Sequence, residues 1–257
     1  LIDPSAMVSS DAQIAADVTI GPGTVIGPDV EIDEGTWIGP HVVIKGPTRI
    51  GKDNRIYQFA SIGDDPQDKK YHGESNSRLE IGDRNTIREF CTINRGTDEG
   101  GGLTRLGDDN WIMAYVHIAH DCRIGSHTIF ANNASLAGHV EVGDFAILGG
   151  FTLVHQFCRV GMHTITRFST GTSKDIPPYL VAAWDPAKPK GINKEGLKRR
   201  GFSAETIECL RQAFKIIYRK NLTINEACVR LEEMSEDCQE IMPLLDFLRT
   251  TERGIIR

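Results

Sequence analysis

The sequence predicts an all-β left-handed parallel β-helix followed by a small α-helical C-terminal domain, and three observations carry that expectation. Aliphatic residues recur at every sixth position without a break, from Ile2, Val8, Ile14 and Ile20 to Ile62. The step resumes at Ile81, Ile87 and Ile93, and again from Leu106 to Val160. After Ile176-Pro177-Pro178-Tyr179 it vanishes and the composition turns helical. A helix repeats at about 3.6 residues and a strand at 2, so a sustained period of six needs short strands joined by regular corners. Three such hexads close a triangular coil of about 18 residues, the hexapeptide pattern of a β-helix. Its left-handed crossovers oppose the usual rule for parallel strands, which makes the pattern specific.

Within each hexad two slots point inward. One is the aliphatic position; the other, two residues before it, is smaller: Ala12, Val18, Thr24, Val30, Thr36 and Val42, then Cys91, Cys122, Ala134, Val140, Ala146 and Cys158. The three cysteines in that slot read as small stacked core residues rather than ligands. Glycine follows the aliphatic slot in many repeats (Gly21, Gly27, Gly39, Gly51, Gly82, Gly107, Gly125, Gly143 and Gly161), as expected if the corner needs positive φ there. Two insertions, about 63–80 and 94–105, each throw the register off by one residue and read as loops leaving the coil. The coil is assigned to residues 1–185 and the helical domain to 186–257. A short basic helix is expected after Asn193, and a longer one from Ser203 with Ile207, Leu210, Phe214, Ile217 and Tyr218 on one stripe. Thr223-Ile224-Asn225-Glu226 is a capping box, with Leu222 and Ala227 as its hydrophobic staple. A last helix uses Leu244, Leu245, Phe247 and Leu248 after Pro243.

Composition narrows the class. The 257 residues hold 29 Lys+Arg against 35 Asp+Glu, a net charge of −6, with 25% charged and 40% hydrophobic side chains. Those values exclude disorder as the main description. The longest near-apolar stretch, Phe145 to Val154, is interrupted by Gly149, Gly150 and Thr152 and is too short to span a bilayer. Leu1-Ile2-Asp3-Pro4 shows no basic region leading an apolar run, so a signal peptide is not expected and the cytoplasm is the default location. Six cysteines without C-x-x-C spacing argue against a zinc ribbon or redox pair. From residue 186 onward Lys/Arg outnumber Asp/Glu 14 to 11, against 15 to 24 before it, so an acidic coil carries a basic tail. Neither half suggests nucleic-acid binding.

Stacking at 18 residues per coil turns spacing into geometry, with coils about 4.8 Å apart. His120 lies below Gly138 and Gly138 below Gln156, with His139 and His155 flanking that column and His117 three residues back. Several imidazoles on one ridge, beside a backbone N–H, suit acyl transfer by a general base with an oxyanion donor. Asp121 is placed to orient His120. Two other readings stay open from the residues alone. His117, His120 and His139 have the ligand type for zinc, as in the hexapeptide-coil carbonic anhydrases. A coil with no catalytic task would be a binding scaffold, its histidines hydrogen-bonded for structure.

Four segments carry a family resemblance. Val116-His117-Ile118-Ala119-His120-Asp121-Cys122, Asn132-Asn133-Ala134-Ser135-Leu136-Ala137-Gly138-His139-Val140, Val154-His155-Gln156-Phe157-Cys158 and Glu195-Gly196-Leu197-Lys198-Arg199-Arg200-Gly201-Phe202 resemble the acyl-ACP–UDP-N-acetylglucosamine O-acyltransferases that open lipid A biosynthesis. The likeness spans the chain, including Gln67-Asp68-Lys69-Lys70-Tyr71, Gly100-Gly101-Gly102-Leu103-Thr104 and Arg253-Gly254-Ile255-Ile256-Arg257. The related N-acyltransferase of the pathway adds an N-terminal uridine-binding domain, whereas here the hexads start at Ile2.

The resemblance implies transfer of an (R)-3-hydroxyacyl group from acyl carrier protein to the glucosamine 3-hydroxyl of UDP-GlcNAc, by a homotrimer with sites between subunits and without metal or cofactor. It makes His120 the general base, Asp121 its partner and the Gly138 N–H the oxyanion donor. It places Asp68, Lys70, His117, His139, His155 and Gln156 around the sugar and pyrophosphate, and Asn193, Glu195, Arg199 and Arg200 near the nucleotide. Phe168 matches the acyl-chain ruler, glycine in long-chain members. At 48 residues past His120 it lies about 2.7 coils, or on the order of 13 Å, along the axis, room for roughly ten carbons. A donor of about ten to twelve carbons is the expectation. The chain departs from the family at Asn94, where histidine is common, and at Trp184-Asp185, where a Gly-Asn pair is.

Overall fold

The computed structural model describes residues 1–73 and 76–257. Among the described residues, three sheets of nine, eight and ten strands, parallel but for one terminal strand of the third, form the faces of a left-handed triangular prism. Successive strands visit face I, face II and face III in turn: His117–Ile118 lies on I, Arg123–Ile124 on II, Ile129–Phe130 on III and Ser135–Leu136 again on I. Register follows the hexads, with Met7 against Val25 and Val8 against Ile26. Vertical partners are 18 residues apart in uninterrupted coils, 31 across the first insertion and 25 across the second.

The hydrophobic effect sets this register, because slipping one residue would turn every aliphatic outward. From Ile20 to Val160 the six-step aliphatics are at most 4% exposed. Each such burial stabilises the fold by roughly 1.5–3 kcal/mol. Exposure rises only at the open first coil, where Ile2 is 51% exposed. Cys91, Cys122 and Cys158 are buried in the small slot, as expected.

One expectation about the corners is corrected. None of the nine glycines after the aliphatic slot has positive φ; the left-handed residue comes two positions later. There the chain uses Asp53 (φ 54°), Tyr115 (64°), Asp121 (60°), Phe145 (60°) and His163 (56°), among others. The glycines serve close approach instead: a Cβ on Gly21 would stand 2.7 Å from the Pro40 nitrogen, and on Gly143 2.6 Å from that of Met162. Rings at the left-handed position stack up the corners, His127 on Phe145 at 4.7 Å and Phe145 on His163 at 4.8 Å.

The coil ends at Leu180–Ala183, to which Lys188–Ile192 adds an antiparallel strand. Four helices follow: α1 (Lys194–Arg199), α2 (Ala204–Arg219), α3 (Ile224–Ser235) and α4 (Met242–Arg249). Asn193, Ser203 and Thr223 cap the first three, and Thr223 with Glu226 forms the full capping box. Ile207, Leu210, Phe214 and Ile217 of α2 are buried, as are Leu244, Leu245, Phe247 and Leu248 of α4. Beyond α4 the chain returns to the coil, where Ile255 bridges Asp175.

Candidate active site

A groove of about 940 Å³ runs along face I. Its floor is set by alternation: His117, Ser135 and Leu153, the first residues of three stacked strands, point outward while their neighbours fill the core, and Gly171 continues the row on the next coil. Its ridge is the corner between faces I and II, bearing His120, Gly138, His155 and Gln156, and Asp68 and Lys70 line it from the first insertion.

At that ridge His120 Nδ1 lies 2.8 Å from Asp121 Oδ2. An ionised carboxylate only accepts, so Nδ1 holds a proton in this contact and Nε2 is the ring nitrogen left clear of Asp121. Asp121 is 4% exposed, and its oxygens also accept from the Thr97 N–H at 2.9 Å and the Thr97 hydroxyl at 2.7 Å. Burial works to raise its pKa, but hydrogen bonds from His120 and Thr97 outweigh it and hold the group below the usual value. Gly138 leaves room for the imidazole: a Cβ there would sit 2.5 Å from His120 Cε1 and 2.7 Å from Nε2. Among the described residues the Gly138 N–H has no acceptor. The His120 imidazole and a backbone N–H without an acceptor therefore lie side by side in the groove.

Two neighbouring histidines, His117 and His139, are biased toward the neutral form. His117 Nδ1 is 2.7 Å from the Thr92 hydroxyl. Burial, then the charge of His120, lowers its pKa. His139 stacks on Phe157 at 4.4 Å and stands edge-on to His120 at 5.2 Å. Burial lowers it too, against the pull of Asp121. His155 is exposed, with Arg253 Nη2 3.2 Å from its Nδ1. Cys122, beside the pair, has its thiol pushed up to about 12 by burial and donates to the Ala137 carbonyl, which makes it a poor nucleophile.

Among the described residues, the donors that come within 4.8 Å of one another are those of His120, Asp121 and His139, without His117. The set expected for zinc is therefore not the one the fold assembles, and Asp121 is already spent on His120 and Thr97.

Not every expected residue reaches the groove. Asn193, Glu195, Arg199 and Arg200 sit on or at the start of α1, which lies by the corner between faces II and III. The Arg200 guanidinium is 4.8 Å over the Phe145 ring. The Asn193 amide is spent on structure, donating to the His163 carbonyl at 2.9 Å and accepting from Gly196 N at 3.1 Å. Glu195 and Arg199 are exposed. Phe168 stands on the third corner, 69% exposed and edge-on to Phe151 at 5.5 Å. The exposed Lys70 ammonium lies 3.9 Å from the Glu99 carboxylate. Asn94, at the family departure, donates to the Asp65 carbonyl at 2.8 Å, and Trp184 packs its ring under the Lys190 ammonium at 4.2 Å. Thr97, Arg95 and Arg253 were not among the sequence candidates, because insertions and tails lie outside the 18-residue arithmetic.

Comparison with known proteins defines the class first. Residues 104–138 match the bacterial transferase hexapeptide (six repeats) family, and 175–256 match domain 2 of UDP N-acetylglucosamine O-acyltransferase. This is a hexapeptide-repeat acyltransferase. The acyl-[acyl-carrier-protein]–UDP-N-acetylglucosamine O-acyltransferase of Thiobacillus denitrificans is 62% identical over 256 residues, covering 100% of this chain and 99% of that protein. The LpxA structure from Acinetobacter baumannii superposes with a TM-score of 0.97 at 45% identity, covering 100% of both chains. The UDP-N-acetylglucosamine acyltransferase structure of Francisella novicida gives 0.98 at 45%, covering 100% and 94%. The chain belongs to the acyl-ACP–UDP-N-acetylglucosamine O-acyltransferase family.

Proposed function

We propose that this enzyme transfers an (R)-3-hydroxyacyl group from acyl carrier protein to the 3-hydroxyl of UDP-GlcNAc, the first step of lipid A biosynthesis. The observation that carries the mechanism is the His120–Asp121 pair, with its free Nε2 packed against Gly138 in an open groove. His120 Nε2 takes the proton of the sugar hydroxyl as its oxygen attacks the thioester carbon. The Gly138 N–H receives the oxyanion, and Asp121 stabilises the imidazolium through Nδ1. Collapse breaks the C–S bond, and His120 returns the proton to the leaving sulfur, so no covalent enzyme intermediate forms. General base catalysis contributes about 10²–10⁴ and an oxyanion donor about 10²–10³. His117, His139, His155, Gln156, Asp68 and Lys70 contact sugar and pyrophosphate.

The separation of α1 from the groove supports a homotrimer in which each site is completed by a neighbour's Glu195, Arg199 and Arg200, with Asn193 anchoring that helix. Arginines suit phosphate by bidentate pairing. We read residues 1–185 as the catalytic coil and 186–257 as the helical domain, whose positive charge suits acidic acyl carrier protein. Among the described residues no helix is long and apolar enough to cross a membrane.

The test is turnover of UDP-GlcNAc with hydroxyacyl-ACP by the purified protein, expected to be insensitive to EDTA. Absence of product would refute the assignment, and zinc-restored activity after chelation would favour the hydratase reading.

A further inference from the structure

The second insertion does more than fill space between two strands. Arg95 buries its guanidinium, its side chain only 9% exposed, under the base of the first insertion. Its Nη1 donates to the carbonyls of Gly46 at 2.8 Å and Gly63 at 2.6 Å, and its Nη2 to the Tyr71 hydroxyl at 3.2 Å while pairing with Asp65. Asn94 adds its bond to the Asp65 carbonyl, and Ser77 closes the far end by donating to the Gly96 carbonyl at 2.6 Å. The loop bearing Asp68 and Lys70 is thus tied at both ends to 94–96.

Two residues past Arg95, Thr97 gives both its donors to Asp121, one to each oxygen. That fixes the carboxylate plane, with Oδ2 directed at His120 Nδ1. The chain then turns tightly back, Gly102 N donating to the Thr97 carbonyl at 2.7 Å, and at Gly100 a Cβ would run into the Asp121 carboxylate. A buried carboxylate held by two anchored donors cannot rotate away from the imidazole without leaving them unpaired.

We propose that Asn94, Arg95 and Thr97 form one positioning element that sets the acceptor-binding loop in register with the catalytic pair. Thr97 acts on the base through Asp121, and Arg95 acts on substrate binding through the loop. Neither touches the reacting atoms. The inference rests on the function proposed above, and it assigns separate kinetic signatures to two residues that are next-but-one neighbours in the chain.

The experiment uses the full-length protein with Thr97→Val, Thr97→Ser, Arg95→Met and Asp65→Ala. Asp65→Ala loosens the same loop from its exposed side, so the loop arm remains readable if Arg95→Met fails to fold. Thr97→Val is expected to lower kcat about tenfold, the scale of one hydrogen bond to a charged group, with the KM for UDP-GlcNAc unchanged. The acid limb of its kcat/KM profile should shift, because the carboxylate that faces the imidazole has lost one of its donors, and Thr97→Ser should restore both. Arg95→Met and Asp65→Ala should raise that KM about fivefold or more and leave kcat within about twofold. Wild-type kcat and pH profile in Thr97→Val would overturn the first assignment, and an unchanged KM in Asp65→Ala the second. Two substrate-free readings separate these failures from an error in the function itself. The pH dependence of diethylpyrocarbonate modification at His120, read by mass spectrometry, should shift in Thr97→Val. Tryptic cleavage after Lys69 and Lys70 should accelerate in Arg95→Met and Asp65→Ala. If neither changes, the positioning element is refuted whatever the substrate.

Discussion

His120 and Gly138 are stacked so closely that each limits the other. Replacing His120 by Ala removes the base without opening the coil, since the ring packs on the ridge and the core slots lie beneath it. Activity should fall to about 1% or less with the thermal midpoint nearly unchanged. Gly138→Ala should be comparably damaging for a different reason, since its Cβ has to displace the imidazole, and a shift of about 1 Å can cost about 10²-fold. Kinetics beside circular dichroism on both variants checks this, and near-wild-type turnover in either would remove that residue from the mechanism. A quite different histidine, His163, is expected to add to the sensitivity of the fold to acid. His163 is 5% exposed between Phe145 and Tyr179, its Nδ1 unpartnered among the described residues. Burial first, then the Arg200 charge, lowers its pKa from 6.5 to about 4. Its unfolded form therefore binds a proton that the folded form refuses. Its contribution is whole above pH 6.5 and drains away as pH falls toward about 4. His163→Phe keeps the ring stack and should flatten that limb of a urea-midpoint series from pH 7 to 4. An unaltered slope would exclude His163 as its source. Spacing revealed the ridge histidines because it reports columns. It did not single out His163, which stacks in the column of His127 and Phe145, because the contact with Phe202 beyond the coil leaves no periodic trace.

At the scale of elements, legibility followed the range of the interaction that fixes each piece. The hexad slots and the helix caps are local, and Thr223 with Glu226 was readable because a capping box closes within four residues. Thr223→Ala should cost about 1 kcal/mol in chemical denaturation and leave kinetics unaltered, the helix being remote from the groove. A loss of turnover would mean that α3 shapes the site. Glycine was misread because two different constraints favour it. Freedom in φ was expected, whereas the operative constraint is the next coil's backbone, about 2.7 Å from where the Cβ of Gly21 would stand. Spacing within one hexad cannot distinguish a local strain from a contact made 18 residues later. The insertions were least readable of all, for Arg95 and Thr97 act on partners 18 to 49 residues away, outside any repeat.

For the whole molecule, face I is bounded on one edge by His120 and on the other by the corner that carries Phe168. An acyl chain leaving the thioester at His120 has to cross that face as well as climb the roughly 13 Å of axial rise that separates it from Phe168, so the axial figure is the least length of the path. A preference for ten to twelve carbons is expected, and Phe168→Gly should admit fourteen. Competing hydroxyacyl-ACPs in one reaction decide it, and a fourteen-carbon preference before mutation would defeat the ruler assignment. Such a chain needs cover on its open side. The ridge holds the base, yet Arg199 and Arg200 stand by another corner of the same prism, so one subunit cannot bring both to one nucleotide sugar. In the proposed homotrimer one subunit's face I meets a neighbour's α1, and three-fold closure repeats that contact at every site. Light scattering should give three times the 28.4 kDa chain mass. Complementation tests the shared site more sharply. His120→Ala and the Arg199→Ala/Arg200→Ala double variant should each be inactive alone. Co-expressed with different tags and purified as mixed trimers, they pair an intact ridge with an intact neighbouring helix at one of the three interfaces of each trimer, and about a third of the activity should return. If the base and the arginines served the same subunit's site, every site in the mixture would carry one lesion or the other. Mixed trimers as inactive as their parents would therefore show that no site is shared.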